Sequence, residues 1–337
     1  MNKKLIAVAI AGAFAGASPA VMAGAMQVGV SGYIDGILTV QNEAADDTTL
    51  DASGSTANSA NQKFSMDGEV DFTASQGNVM TRVDLDVNNT NGTFDSGEIE
   101  QAFASWMAND AVTVNIGQMN TGVGFEEEDT PNIYSVTHGQ IYDILDGQTS
   151  LRGNNVNGVV LGFNAGGAAD IKVGMVNELG DNAEANSFML QASGSPMDGL
   201  NLEGSFVTQE DYDAAFNPNS AGNIFDINGT YGMDNWFVGL DILDGADDGD
   251  GLPDNAWSIF GNLDFGNGFS GSLRYDTVAY NDVGSTSVDD TTSTTVAGTW
   301  SANDNMDLLL EVRSDDNGTD TFNSVYLEAV ATLGDFN

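Results

Sequence analysis

Lys63-Phe64-Ser65-Met66-Asp67-Gly68-Glu69-Val70-Asp71-Phe72-Thr73-Ala74 alternates without a break. Phe64, Met66, Gly68, Val70, Phe72 and Ala74 share one parity; Ser65, Asp67, Glu69, Asp71 and Thr73 share the other. Successive side chains of an extended chain point to opposite faces, so this stretch reads as a strand with one apolar and one acidic face. The same period recurs upstream in Val28, Val30, Ile34, Leu38 and Val40. It recurs downstream as far as Val325, Leu327, Ala329, Ala331 and Leu333. Spans 27–41, 63–76, 79–88, 98–107, 111–118, 157–165, 169–178, 186–193, 200–207, 223–231, 235–242, 256–264, 268–280, 291–300, 306–314 and 321–333 all carry it, about sixteen strands in all.

The connections alternate between short and long. Gly77-Asn78, Ala108–Asp110, Gly232–Asp234, Gly266-Asn267 and Ser301–Asp304 have tight-turn chemistry. Segments 42–62, 89–97, 119–156, 208–222, 243–255, 281–290 and 315–320 are the long ones. Strands of roughly ten residues, even in number, with short turns on one side and long loops on the other, define an all-β transmembrane antiparallel barrel. Short turns would face the periplasm and long loops the exterior.

Charge obeys the same parity. Asp35, Asp67, Glu69, Asp71, Arg82, Asp84, Asp86, Lys172, Arg274, Arg313 and Glu328 all fall opposite the apolar residues. A basic side chain on the lipid side at mid-bilayer costs about 2–4 kcal/mol, so a barrel in lipid requires this segregation. Trp106, Tyr231, Trp236, Phe265, Phe269 and Trp300 lie on the apolar parity beside the short turns, as an interfacial girdle would. The fourth strand breaks the rule: Glu100 shares parity with Trp106, which calls for a bulge or a different register. A soluble β-sandwich or β-solenoid also alternates, but neither needs aromatic ends or one lipid-like face through so many strands.

Met1–Lys4 is positive, Leu5–Ala17 is apolar and Val21-Met22-Ala23 suits a signal peptidase. Residues 1–23 therefore read as a secretory signal peptide and 24–337 as the barrel; the apolar run is too short to span a bilayer as a helix. No cysteine is present, so no disulfide framework holds the chain. Fifty acids against eight basic residues give a net charge of −42, which excludes nucleic acid as a partner, because phosphate binding needs clustered Lys and Arg.

A barrel of about sixteen strands encloses water, and its polar parity would line the channel. The longest connection, 119–156, carries Glu126-Glu127-Glu128-Asp129 and is expected to fold into the lumen; a solvated surface loop is the other reading. With so acidic a lining, cations should be enriched.

Two stretches carry a resemblance. Ile116-Gly117-Gln118-Met119-Asn120-Thr121 leads into the long loop and Arg152-Gly153-Asn154-Asn155-Val156-Asn157 leads out of it. Both resemble the segments flanking the constriction loop of Gram-negative outer-membrane general porins. Gln118 stands where that family has a basic residue, Gly122 where it has Pro and Val156 where it has Ser, and Phe336-Asn337 replaces a terminal aromatic. The resemblance implies a homotrimeric diffusion pore in contact with outer-membrane lipid and lipopolysaccharide, passing small hydrophilic solutes and cations. It implies basic wall residues (Arg82, Arg152, Lys172, Arg274 and Arg313) facing acids on the loop (Glu126, Glu127, Glu128, Asp129 and Asp143). Asp67, Glu69, Asp71, Asp84 and Asp86 are the lumen acids on the apolar-opposite parity.

Asp248-Gly249-Asp250-Gly251-Leu252-Pro253-Asp254 resembles a calcium loop but lacks an acid at Ala246, so Asp248, Asp250 and Asp254 are at most a weak divalent site. No cofactor is expected beyond loosely bound divalent cations. The single histidine, His138, has no cysteine partner, and no nucleophile–base–acid set can be placed, so an enzyme is not expected. A substrate-specific channel would show an aromatic track in the lumen; only Tyr33, Phe237 and Phe260 fall inward. An acidic surface barrel acting as an adhesin would carry larger loops.

Overall fold

The computed structural model describes residues 25–42, 61–87, 98–147, 155–165, 169–177, 186–208, 223–245 and 253–334. The signal segment 1–23, Arg152, Asp248 and Asp250 lie outside the described residues. The strands are β1 (Gln27–Asn42), β2 (Asn61–Gln76), β3 (Val79–Asp86), β4 (Glu98–Asn109), β5 (Val112–Asn120), β6 (Asn155–Asn164), β7 (Asp170–Asn177) and β8 (Asn186–Met197). They continue as β9 (Leu200–Val207), β10 (Ile224–Met233), β11 (Trp236–Asp244), β12 (Pro253–Gly266), β13 (Phe269–Tyr280), β14 (Thr291–Asn303), β15 (Met306–Asp316) and β16 (Thr321–Leu333). Each pairs antiparallel with its sequence neighbours, and β1 pairs with β16 from Gly32↔Leu333 to Asn42↔Asn323, closing the barrel. Closure leaves no unpaired edge, the condition for a sheet to sit in hydrocarbon. Among the described residues no helix is long and apolar enough to span a membrane.

The parity read from the sequence is the parity of the wall. Val28, Val30, Ile34, Phe64, Phe72, Leu310 and Val312 stand outside, while Tyr33, Asp35, Glu69, Asp71, Leu309 and Glu311 are buried inside. The girdle residues Trp106, Trp236, Phe265, Phe269 and Trp300 are exposed on the outer face, with Phe269 and Trp300 stacked at 6.0 Å. The short turns are laced together. Asn78, Asn235 and Asn305 each donate a side-chain N–H to a carbonyl beside the next turn (Met107, Asp264 and Thr332), at 2.9, 2.9 and 3.1 Å. Each returns its own carbonyl to the same residue's N–H.

The discordant fourth strand contains a bulge. Val83 opposes Ala102 while Leu85 opposes Ile99, so β4 spends two residues where β3 spends one. Ile99 and Trp106 thereby stay outside, and Gln101, Phe103 and Ser105 turn inward. Glu100 also reaches the lumen side, where it accepts a hydrogen bond from Asn155 at 3.1 Å. Opposite Phe103, Gly117 of β5 has φ +133°, and a Cβ there would strike the Ala102 carbonyl and Phe103 Cα, so this position admits only glycine.

Candidate functional site

Between β5 and β6 the chain leaves the wall and folds into the lumen; its described residues include a short 3-10 turn at Thr130–Asn132 and a helix, α1 (Gln140–Gly147). Asn120 Oδ1 accepts the Gly122 N–H at 2.7 Å, and Gly122 and Gly124 have φ of +68° and +89°, the left-handed conformations that turn the chain inward. Ile141, Ile144 and Leu145, spaced i, i+3, i+4 on α1, join an apolar cluster with Val123, Val156, Leu243 and Val278 of the loop and wall.

Polar groups on the far wall fasten the loop. Arg274 of β13 donates from Nη1 to Glu126 Oε1 (2.9 Å) and Ser135 Oγ (2.8 Å). From Nη2 it donates to the carbonyls of Thr137 (2.9 Å) and His138 (2.7 Å), while Nε bonds Asp276 at 3.1 Å. Glu311 of β15 accepts the backbone N–H groups of Val136 (2.6 Å) and Thr137 (3.1 Å) and the Thr137 hydroxyl (2.6 Å). Asp241 accepts the Phe125 N–H at 3.1 Å, and Ser272 donates to the Tyr134 carbonyl at 2.5 Å. The inward aromatics complete the seat. Phe125 stacks on Phe260 at 3.9 Å, and Tyr134 meets Phe237 edge-on at 4.8 Å. Phe237 and Phe260 thus support the loop instead of forming a track for solute.

The candidate basic residues differ in what they meet. Arg274 meets the loop acid Glu126 directly. Arg313 pairs with Asp315 at 2.8 Å and holds the His138 carbonyl at 2.9 Å, so it contacts the loop through backbone. Arg82 pairs with acids of its own wall, Asp84 at 2.7 Å, Asp71 at 3.1 Å and Glu69 at 3.5 Å, and shares a cavity with the loop acid Asp129. Lys172 makes no ion pair among the described residues and borders a cavity of about 370 Å³ between the loop and the near wall. Arg82, Glu203 and the loop acids Glu126–Asp129 border the same cavity. Asp67 and Asp86 lie half-buried beside Glu69 and Asp71, and Asp143 is exposed in the first turn of α1. Asp254 bonds its neighbour Asn255 at 2.9 Å and belongs to no carboxylate cluster among the described residues.

Glu311, Asp241 and Ser272 act in the seat, yet the sequence marks them only as lumen parity. Their loop partners are more than a hundred residues away in the chain. Glu100 was marked by its own misfit. His138 stacks on Tyr142 at 3.8 Å, and burial lowers its pKa to about 3, so it is neutral at physiological pH.

Burial, reinforced by Asp129, pushes the Glu127 carboxyl up to about 7, and burial beside Glu100 pushes Glu128 up to about 11. Glu127 therefore gains its charge as pH rises through neutrality. Any cation preference should increase between about pH 6 and pH 8, read as the reversal potential in a salt gradient; a flat profile would remove Glu127 from the filter. The folded chain also holds this proton where the unfolded chain has lost it. The docked loop thus loses stability as pH climbs from about 4.5 to 7.

A closed barrel with an apolar exterior, a polar lumen and a loop folded across that lumen defines a porin-type channel of the Gram-negative outer membrane. The chain matches, over residues 27–328, the model of the family described as "beta-barrel porin-2, OmpL-like", and it belongs to that family. Among solved structures it is similar to the outer-membrane channel DcaP of Acinetobacter baumannii, with 13% identity, TM-score 0.63, and 91% of this chain and 97% of that chain covered. OmpT of Vibrio cholerae, in a form lacking loop L8, gives 13% identity, TM-score 0.60 and coverage of 92% and 100%. A variant of the Rh. blastica porin gives 14%, 0.57, 91% and 100%. At such identities the likeness is one of fold. None of the curated proteins compared matches the chain in sequence.

Proposed function

We propose that this chain forms a water-filled, cation-preferring channel for passive diffusion of small hydrophilic solutes and ions, with no catalytic role. The observation that carries this reading is the cavity beside the seated loop, lined among the described residues by the acids Glu126, Glu127, Asp129 and Glu203 against two basic residues, Arg82 and Lys172. Arg82 is already neutralised by three wall acids, which leaves the open side of the lumen negative. General diffusion is favoured over a solute-specific track because the inward Phe237 and Phe260 are occupied by Phe125 and Tyr134, which leaves Phe103, among the described residues, as a single wall aromatic bordering the cavity. The homotrimer, and contact with lipopolysaccharide, rest on the resemblance of 116–121 and 152–157 to general porins.

The test is reconstitution of the mature protein in a planar bilayer under a KCl gradient. Stable open steps with a cation-selective reversal potential are expected. An anion-selective reversal would overturn the preference, and a folded barrel that does not conduct would overturn the channel and favour a plugged barrel or adhesin.

A further inference from the structure

β2, β3 and the β4 bulge bring Glu69, Asp71, Asp84 and Glu100 to one corner of the wall, and the loop adds Asp129. One guanidinium serves them. Arg82 is taken up by Asp84 at 2.7 Å and Asp71 at 3.1 Å, and its Nη2 comes no nearer than 3.5 Å to Glu69. Glu69 is only 2% exposed, yet neither of its carboxylate oxygens accepts a hydrogen bond. A buried carboxylate in that condition must take a proton or a cation. Oxygens of Glu69, Glu100 and Asp129 all lie within 4.8 Å of one another. That is the separation of two ligands on opposite sides of a calcium ion bound at about 2.4 Å. A second set, Glu69, Asp71 and Asp84, is equally close but already holds the Arg82 guanidinium.

We propose that Glu69, Glu100 and Asp129 form a divalent-cation site, selective for calcium, that ties the constriction loop to the near wall. Calcium accepts six to eight oxygens in irregular arrangements, with carboxylates binding through one or both oxygens, whereas magnesium demands a near-octahedral set. Three carboxylates from two strands and a loop suit the former. Asp129 faces the cavity of about 370 Å³, from which water completes the shell. The bulge in β4 acquires a purpose here, since without it Glu100 would face lipid. The ion would be a second anchor for the loop, across the lumen from Arg274.

The test titrates calcium into the detergent-refolded, chelator-treated barrel by calorimetry, in about 1 M KCl, where charges on the exposed loops are screened beyond about 3 Å. One saturable site per chain is expected. Glu69→Gln and Asp129→Asn should each weaken it at least about tenfold, which is 1.4 kcal/mol. Asp290→Asn, in an exposed loop, should not change it. Heat-dependent gel mobility reports whether each variant is a folded barrel. Should Glu69→Gln fail to fold, Asp129→Asn in the loop decides. Absence of a saturable site in the parent chain would overturn the proposal and assign the corner to protons. So would binding unchanged in the folded variants, and magnesium binding as tightly would overturn the calcium assignment. Binding is read without conduction, so the result stands apart from the channel test.

Discussion

Arg274→Ala is expected to raise the single-channel conductance and expose the loop to protease. Arg274 is buried, and it gives its five donors to Glu126, Ser135, Asp276 and the carbonyls of Thr137 and His138. Removing it leaves Glu126 and Asp276 without their counter-charge and two loop carbonyls without a donor. Breaking a buried pair from one side costs on the order of 3–5 kcal/mol. The barrel itself is held by its strand ladders, so that loss falls on loop docking. The loop should swing away from β13, widening the lumen and opening Phe125, Tyr134 and Tyr142 to chymotrypsin. Arg274→Lys should recover only part of the seat, because an ammonium cannot reproduce the planar fork. Unchanged conductance in Arg274→Ala would mean that Glu311 and the Phe125–Phe260 stack hold the loop unaided.

The barrel was almost wholly legible in the sequence because lipid imposes a period-two rule on every strand, and the rule repeats from Val28 to Leu333. The short turns were legible too, since Asn and Gly are needed where the chain reverses tightly. The seat of the loop was not. Parity places Glu311, Asp241 and Arg274 in the lumen, yet nothing local says that each bonds a segment 116 to 175 residues away. Arg82 was expected to face the loop, and it does border the loop acids across the cavity, but the acids it pairs with at 2.7 and 3.1 Å are those of the wall. Its cross-strand neighbour Thr73 brings it beside Asp71, and the i+2 residue Asp84 shares its face, so the wall acids claim it first. Such competition is decided by register, which a one-dimensional pattern gives only approximately. Glu100 was the most informative misfit: a charge on the lipid parity is costly enough that the backbone, not the residue, yields.

The second large effect is expected at about pH 8, where Glu127 is charged and Glu128 is still protonated, from replacing the loop acids together, Glu127→Gln, Glu128→Gln and Asp129→Asn, so that the charge removed is that of Glu127 and Asp129. These three border the cavity opposite Lys172, whose ammonium has no ion-pair partner among the described residues. With the acids gone, Lys172 becomes the dominant charge on that side, balanced mainly by Glu203 across β7–β9. The reversal potential in a KCl gradient should move toward zero, and at low salt it should approach anion preference. The shift should be larger near 0.1 M salt, where the Debye length is about 10 Å, than near 1 M, where it is about 3 Å, because the lumen wall is screened from the ion path at high salt. A chelator in both chambers keeps divalent binding at Asp129 from contributing. Adding Lys172→Gln should then restore a weak cation preference through Glu203. A triple variant that keeps the parent reversal potential at both salt concentrations would place the selectivity in the acidic exterior loops instead, since the mouth charge would then set the local ion concentration before ions reach the constriction.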